Sequence, residues 1–284
     1  MEKPDYLYKY CNVERGLQIL KDCALYLCPP KELNDIFEFS VMAHVEYNEE
    51  RAKFLEHVRF IAKGLDDEDA RNLVSNSDKS ELKDNFEYFY NGLRKLNEDM
   101  MLHSGTTCFS ERFMDQRMWA TYGDNHGGVC IQFSKACGES SVHNRVLPVE
   151  YSDEKMEILP EILERDGSLD TERLGRLFFL RKTPEWRDEG EWRILMLANE
   201  EQTTAERLIR FDPRDIRRVF VGPRVSDDDL DTIRSVVRGF GHDWTIIQVK
   251  PDSVKSFIGF EGIEQPRCFA DIEFMSNIGQ ARNH

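Results

Sequence analysis

The sequence predicts an α+β fold with a mixed or antiparallel central sheet and a helical insertion, and three observations carry that expectation. Short alternating segments such as Tyr6-Leu7-Tyr8-Lys9-Tyr10 recur towards both ends. A continuous helical pattern fills about 46–103. No internal repeat or low-complexity linker divides the chain. With 284 residues, 40% of them apolar, one large core can be buried, so 1–284 is expected to be a single domain with 46–103 inserted in it.

Taken in order, Tyr6 to Tyr10 reads as a strand, and Asn12 then caps a short helix whose apolar side is Val13, Leu17 and Leu20. A second strand, Ala24 to Cys28, stops at Pro29-Pro30. In the insertion, Phe54, Leu55, Val58, Ile61 and Leu65 form one stripe and Leu82, Phe86, Phe89, Leu93 and Leu96 another. Strand character returns at Gly105 to Ser110, followed by a helix through Met114, Met118, Trp119 and Tyr122. A turn at Asp124-Asn125-His126-Gly127-Gly128 then opens the strand Val129 to Phe133. After a strand near Val146 to Tyr151, helices are expected over about 153–182. The polar loop Thr183 to Gly190 enters a strand from Glu191 to Leu197. The remainder alternates Leu208 to Phe211, Val219 to Val221, a helix from Ser226 to Arg238 and Thr245 to Val249, which should complete the same sheet.

No apolar run approaches the roughly 18 residues that cross a bilayer, and Met1-Glu2-Lys3-Pro4-Asp5 is too polar for a signal peptide, so a cytoplasmic protein is expected. Seven cysteines, at 11, 23, 28, 108, 130, 137 and 268, form no Cys-x-x-Cys pair, which argues against a disulfide framework or a structural zinc. The histidines show no His-x-x-x-His spacing, so no built-in metal site is expected. A formal charge of −15 disfavours extended contact with a nucleic-acid backbone, although a local cationic patch would still serve a cofactor phosphate.

Four motifs invite a chemical reading. Val221-Gly222-Pro223-Arg224 precedes a helix as a phosphate loop would, but Asp227, Asp228 and Asp229 would repel an anion and read as stabilisers of the helix N-terminus. His126 could sit at a cleft rim or simply occupy its turn. Asn34-Asp35-Ile36-Phe37-Glu38 could hold a metal, a ribose hydroxyl or only an Asx turn. Glu189-Gly190-Glu191 stands at a loop-to-strand junction, where alternation would place both carboxylates on one side. Two neighbouring acids can divide labour, one favouring a cationic sugar-like transition state and the other orienting a nucleophile. Trp186, Trp192 and Arg193 give them an aromatic, partly cationic setting suited to a planar charged ligand, or to a core.

Several blocks together resemble a bacterial family catalogued as a domain of unknown function, over nearly the full chain. They are Leu7-Tyr8-Lys9-Tyr10, Leu33-Asn34-Asp35-Ile36-Phe37-Glu38, Cys108-Phe109-Ser110-Glu111, Met118-Trp119-x-x-Tyr122-x-x-x-His126-x-Gly128-Val129-Cys130-Ile131-x-Phe133 and Trp186-x-x-Glu189-x-Glu191-Trp192-Arg193. The order of Tyr8-Lys9-Tyr10, a helix, Cys108-Phe109-Ser110, an aromatic helix and a late Glu191 also resembles the ADP-ribosyltransferase fold, although Lys9 and Tyr10 stand where its first strand carries His or Arg. That resemblance implies NAD, or a related nucleotide, as substrate. Glu191 would hydrogen-bond the nicotinamide ribose and Glu189 would position a macromolecular acceptor. Trp119 or Tyr122 would stack on nicotinamide, Tyr8, Tyr10 and Ser110 would shape the pocket, and Lys9, Arg112 or Arg193 would meet the pyrophosphate. It further implies a toxin-like or phage-defence effector with a protein partner. Two other readings stay open: a metal-dependent nuclease in which Asp35, Glu189 and Glu191 gather Mg²⁺ with Lys182 assisting, and a non-catalytic sensor or adaptor.

Overall fold

A computed structural model describes residues 3–33, 46–113, 115–134, 141–153, 170–198, 200–241, 244–251 and 258–262. β1 (Tyr6–Cys11) leads through α1 (Val13–Asp22) to β2 (Ala24–Tyr26). Asn12 caps α1 as its sequence position suggests, its side chain accepting from the Arg15 amide. Pro30–Glu32 then forms a 3-10 turn. The insertion is helical throughout its described elements, α2 (Glu49–Ala62), α3 (Asp67–Ser75) and α4 (Lys79–His103), each capped by an Asn or Asp: Asn48, Asp66 and Asp78. β3 (Gly105–Ser110), α5 (Gln116–Thr121) and β4 (Val129–Ser134) form the expected strand, helix, strand unit.

Next come α6 (Val142–Arg145), β5 (Leu147–Pro148), β6 (Glu150–Tyr151), α7 (Thr171–Phe179) and β7 (Arg181–Lys182). A 3-10 turn over Pro184–Glu189 delivers the chain into β8 (Glu191–Met196). β9 (Leu208–Arg210), β10 (Ile216–Val221), α8 (Asp227–Gly239), β11 (Thr245–Pro251) and β12 (Ile258–Gly262) complete the described fold. Ser226 caps α8 and the acids Asp227, Asp228 and Asp229 occupy its first turn, where they complement the helix dipole as expected.

Among the described residues eight strands make the central sheet, in the order β12-β11-β10-β4-β1-β3-β8-β5. Its pairings are antiparallel except β10 with β11, which α8 joins as a crossover. Two short ribbons stand apart from it: β9, expected to complete the same sheet, pairs antiparallel with β2, Leu25 opposite Ile209, and β6 pairs parallel with β7.

Alternation along β1 divides the core. Leu7 and Cys11 pack with Leu20, Ile131, Val219 and Ile233 on the face covered by α1 and α8. Tyr8 and Tyr10 join Trp119, Cys130 and Phe220 on the other face. A third cluster unites Leu55, Phe86 and Leu93 of the insertion with Leu174, Phe178 and Phe179 of α7. Each fully buried side chain of this size stabilises the fold by about 1.5–3 kcal/mol. The insertion therefore shares its core with the helix that feeds β7. Within α2 the buried face is Ala52, Leu55 and Glu56, while Phe54 stays on the surface, because α4 contacts a face rotated from the sequence stripe. Among the described residues no helix is long and apolar enough to cross a membrane.

Candidate functional site

The sheet is split beside β1. That strand pairs with β4 at six positions but with β3 only at Tyr8 opposite Ser110. Beyond that point β1 and β3 part, and the Lys9 ammonium spans the gap to donate to the Cys108 carbonyl at 2.9 Å. A cleft of ≈ 350 Å³ fills the opening, within the roughly 300–1,000 Å³ range of small-molecule sites. Tyr8, Tyr10, Ser110, Met118 and Tyr122 line it, as do Lys9, Cys11 and Arg15, so side chains from both faces of β1 reach it. Lys182, Glu189 and Glu191 close another part of the same wall.

Glu189 and Glu191 converge through a turn and not through strand alternation. Glu189 ends the 3-10 turn, and Gly190 adopts a left-handed conformation at φ 51° and ψ 55°, which a side chain at that position would resist. The Gly190 carbonyl accepts from the Glu111 amide at 2.9 Å, tying the turn to the end of β3. Lys182, the last residue of β7, donates to Glu189 Oε2 at 2.7 Å and to Glu191 Oε2 at 3.1 Å. Its ammonium also lies 4.5 Å from the centre of the Trp186 ring, a cation–π contact.

The two carboxylates differ in their surroundings. Glu191, 6% exposed, receives Arg193 Nε on Oε1 at 2.7 Å and Arg193 Nη2 on Oε2 at 2.9 Å. Its amide donates to the Tyr151 hydroxyl at 2.8 Å. Burial alone would push its carboxyl up, but the charges and hydrogen bonds of Arg193 and Lys182 outweigh it and hold the group at about 2. Glu189 receives the Tyr122 hydroxyl on Oε1 at 2.7 Å. Burial and the Glu189 charge push the Tyr122 phenol far above its ordinary value, so it stays a donor. Nearby thiols are not nucleophiles at neutral pH, because burial pushes Cys11 and Cys28 up to about 11, and burial with the Glu191 charge pushes Cys108 up to about 12.

Of the ten residues that the transferase resemblance implies, seven share this cleft: Tyr8, Lys9, Tyr10, Ser110, Tyr122, Glu189 and Glu191. Trp119, Arg112 and Arg193 do not line it. Trp119 is buried beneath Tyr10, edge to face at 5.3 Å, and donates to the Phe113 carbonyl, so it supports the pocket wall and is not placed to stack on a ligand. The Arg112 side chain is 55% exposed beside Glu111. Arg193 is fully buried and committed to Glu191 and to the Phe179 carbonyl, at 2.7 Å, and so is not placed to meet a pyrophosphate. His126 does not line the cleft; it sits in a left-handed turn whose carbonyl accepts from the Arg224 amide. A side-chain carbon on Gly222 would lie 2.2 Å from that carbonyl, so the Val221-Gly222-Pro223-Arg224 motif serves close packing.

Asp35, with the rest of the Asn34 to Glu38 motif, lies outside the described residues. Among the described residues no group of three or more His, Cys, Asp or Glu side chains is placed to hold a metal. Sequence reading missed Arg15, Tyr26, Glu32 and Thr106 as cleft residues, because only the parting of β1 from β3 brings α1, β2 and β3 to one opening. Lys182 was noticed, but its bridging place between the carboxylates follows from β7 lying beside the turn, which no local pattern announces.

A protein-family model described as "Protein of unknown function (DUF2971)" matches residues 118–194. The matched segment runs from α5 to β8 and carries Tyr122, Lys182, Glu189, Glu191 and Arg193. No curated protein and no solved structure matches the chain.

Proposed function

We propose that this cleft binds NAD or a related nucleotide and breaks its N-glycosidic bond, as an ADP-ribosyltransferase-like enzyme does. The observation that carries the reading is the convergence of Tyr8, Tyr10, Ser110 and Tyr122 with Glu189 and Glu191 in one opening. Aromatic walls suit a planar base, and paired carboxylates suit the positive charge that spreads over a ribose as its base leaves.

The hydrogen bonds distinguish the roles of the two acids. A carboxylate offers about four acceptor positions. Glu191 uses most of its capacity on two bonds from Arg193 and one from Lys182. It is a fixed negative charge behind the reacting ribose, and preorganised charge of this kind is often the largest catalytic contribution. Glu189 accepts from Tyr122 and Lys182 and retains room for a ribose hydroxyl or an incoming nucleophile. Tyr122 and Lys182 orient it.

The test is incubation of the protein with NAD, following free nicotinamide and label transferred to macromolecules. Glu189→Gln and Glu191→Gln should each abolish release. Absence of NAD binding at millimolar concentration would reject the reading.

A further inference from the structure

We propose that the end of the cleft formed by Thr106 and Glu32 is a subsite for the hydroxyl groups of a sugar ring, supplied by the ribose of a nucleotide. Thr106 is 1% exposed and lines the cleft, yet its hydroxyl oxygen has no hydrogen-bond partner among the described residues. A buried hydroxyl without a partner weakens a fold relative to an apolar group of the same shape. On a cavity wall, such a hydroxyl is satisfied by a group that enters the cavity.

Strand register fixes the neighbours of this hydroxyl. Thr106, Cys108 and Ser110 alternate onto one face of β3, and Ser110 stands opposite both Tyr8 of β1 and Glu191 of β8, so all five share that face. Thr106 also pairs with Cys28 across an isolated antiparallel bridge. The Cys28 amide donates to the Thr106 carbonyl at 2.8 Å, and the Thr106 amide donates back at 2.9 Å. Directly paired residues project to the same side, which sets the Cys28 thiol beside the Thr106 side chain. That thiol donates to Glu32 Oε2 at 3.6 Å, bringing the carboxylate of the 3-10 turn to this end of the opening. Lys9, one residue from Tyr8 on β1, projects to the other face and takes no part.

The donors and acceptors at this end select the ligand. As a carboxylate Glu32 only accepts, whereas the Thr106 hydroxyl both donates and accepts. A phosphate would meet the like charge of Glu32, and an apolar group would leave the Thr106 hydroxyl orphaned. Lys9 and Arg207 act on the Cys28 thiol against Glu32, which acts more strongly, so a full cation gains less here than Glu32 alone would give it. Two neighbouring hydroxyls satisfy both side chains, one giving its proton to Glu32 and the other bonding Thr106. A carboxylate accepting from a ribose hydroxyl is an arrangement that dinucleotide sites use. Spacing along β3 agrees with it: Thr106 and Ser110 are four residues apart, about 13 Å at the rise of a strand. A ligand with its sugar at Thr106 therefore reaches Glu189 and Glu191 only through a second unit, as a dinucleotide does.

The identity of the ligand rests on the nucleotide reading above, but the subsite does not depend on bond cleavage. Calorimetric titration of the full chain with ADP and with deoxy-ADP, which lacks one ribose hydroxyl, tests it. ADP should bind about tenfold more tightly. Thr106→Val should abolish that preference and melt no lower than the wild type, because it removes an unpaired hydroxyl and keeps the shape. Thr106→Ser should keep the preference and melt lower, because it keeps the hydroxyl and loses a buried methyl. Glu32→Gln should reduce the preference. A threonine with a purely structural task would behave in the opposite way, with Thr106→Val destabilised and the preference intact, and that result would overturn the subsite. Equal wild-type affinity for ADP and deoxy-ADP, or no binding of ADP at millimolar concentration, would overturn it too. Nicotinamide release from NAD without the ribose-hydroxyl preference removes the subsite alone. The preference without release supports the subsite and removes only the glycosidic reading.

Discussion

Arg193 grips Glu191 through two parallel hydrogen bonds, Nε to Oε1 at 2.7 Å and Nη2 to Oε2 at 2.9 Å, with the guanidinium fully buried. The two residues lie two apart on β8, so their side chains share one face of the sheet and the pair is built into the strand.

Removing one partner leaves the other as an uncompensated buried charge. Arg193→Met should destabilise the protein by roughly 3–5 kcal/mol in urea denaturation. The double variant Arg193→Met/Glu191→Leu should recover much of that loss, because no ion is then left buried. A single variant of near wild-type stability would contradict the pairing.

Acid should weaken the fold in a defined window. The Glu191 carboxyl lies at about 2 in the folded chain against 4.5 for an ordinary glutamate, so its folded value is depressed. Its stabilisation is present above pH 4.5 and is lost as pH falls from there towards 2. The shift corresponds to about 3 kcal/mol, and Glu191→Gln should remove that part of the pH dependence. Denaturation midpoints measured between pH 2 and 5 check it.

The hydroxyl of Tyr122 should matter both to stability and to the proposed chemistry. Tyr122→Phe removes a hydrogen bond of 2.7 Å to the Glu189 carboxylate while keeping the ring. Bonds to charged groups contribute about 1.5–3 kcal/mol to stability, so unfolding free energy should fall by that order, and on the proposed function nicotinamide release per folded molecule should fall as well. Steady-state kinetics beside a thermal melt separate the two effects.

Two glycines should rank in a stated order. At Gly190 an added carbon would lie 2.5 Å from the flexible Glu111 side chain, which can move, so Gly190→Ala should cost about 1 kcal/mol from its positive φ while displacing Glu189. At Gly222 the carbon would lie 2.2 Å from the His126 backbone carbonyl, which cannot move cheaply. Gly222→Ala should therefore cost more, on the order of 1–3 kcal/mol or above, in equilibrium unfolding.

Local patterns in the chain determined most of the elements and their class: the Asn12 cap, the insertion helices, the Gly105–Ser110 and Val129–Ser134 strands and the acids that start α8. These depend on residues within a few positions of one another, where capping and burial periodicity act directly. Glu189 and Glu191 were visible for the same reason. Tertiary structure alone decided which side chains share a cleft. The parting of β1 from β3 admits Arg15 and Thr106, and the placing of β7 inserts Lys182 between the two acids. It also turned Arg193 and Trp119 inward, since a guanidinium finds its carboxylate, and an indole its neighbouring ring, only after distant strands and helices have packed. Sequence spacing carries the short-range forces, whereas burial and ion pairing depend on contacts that no local window contains.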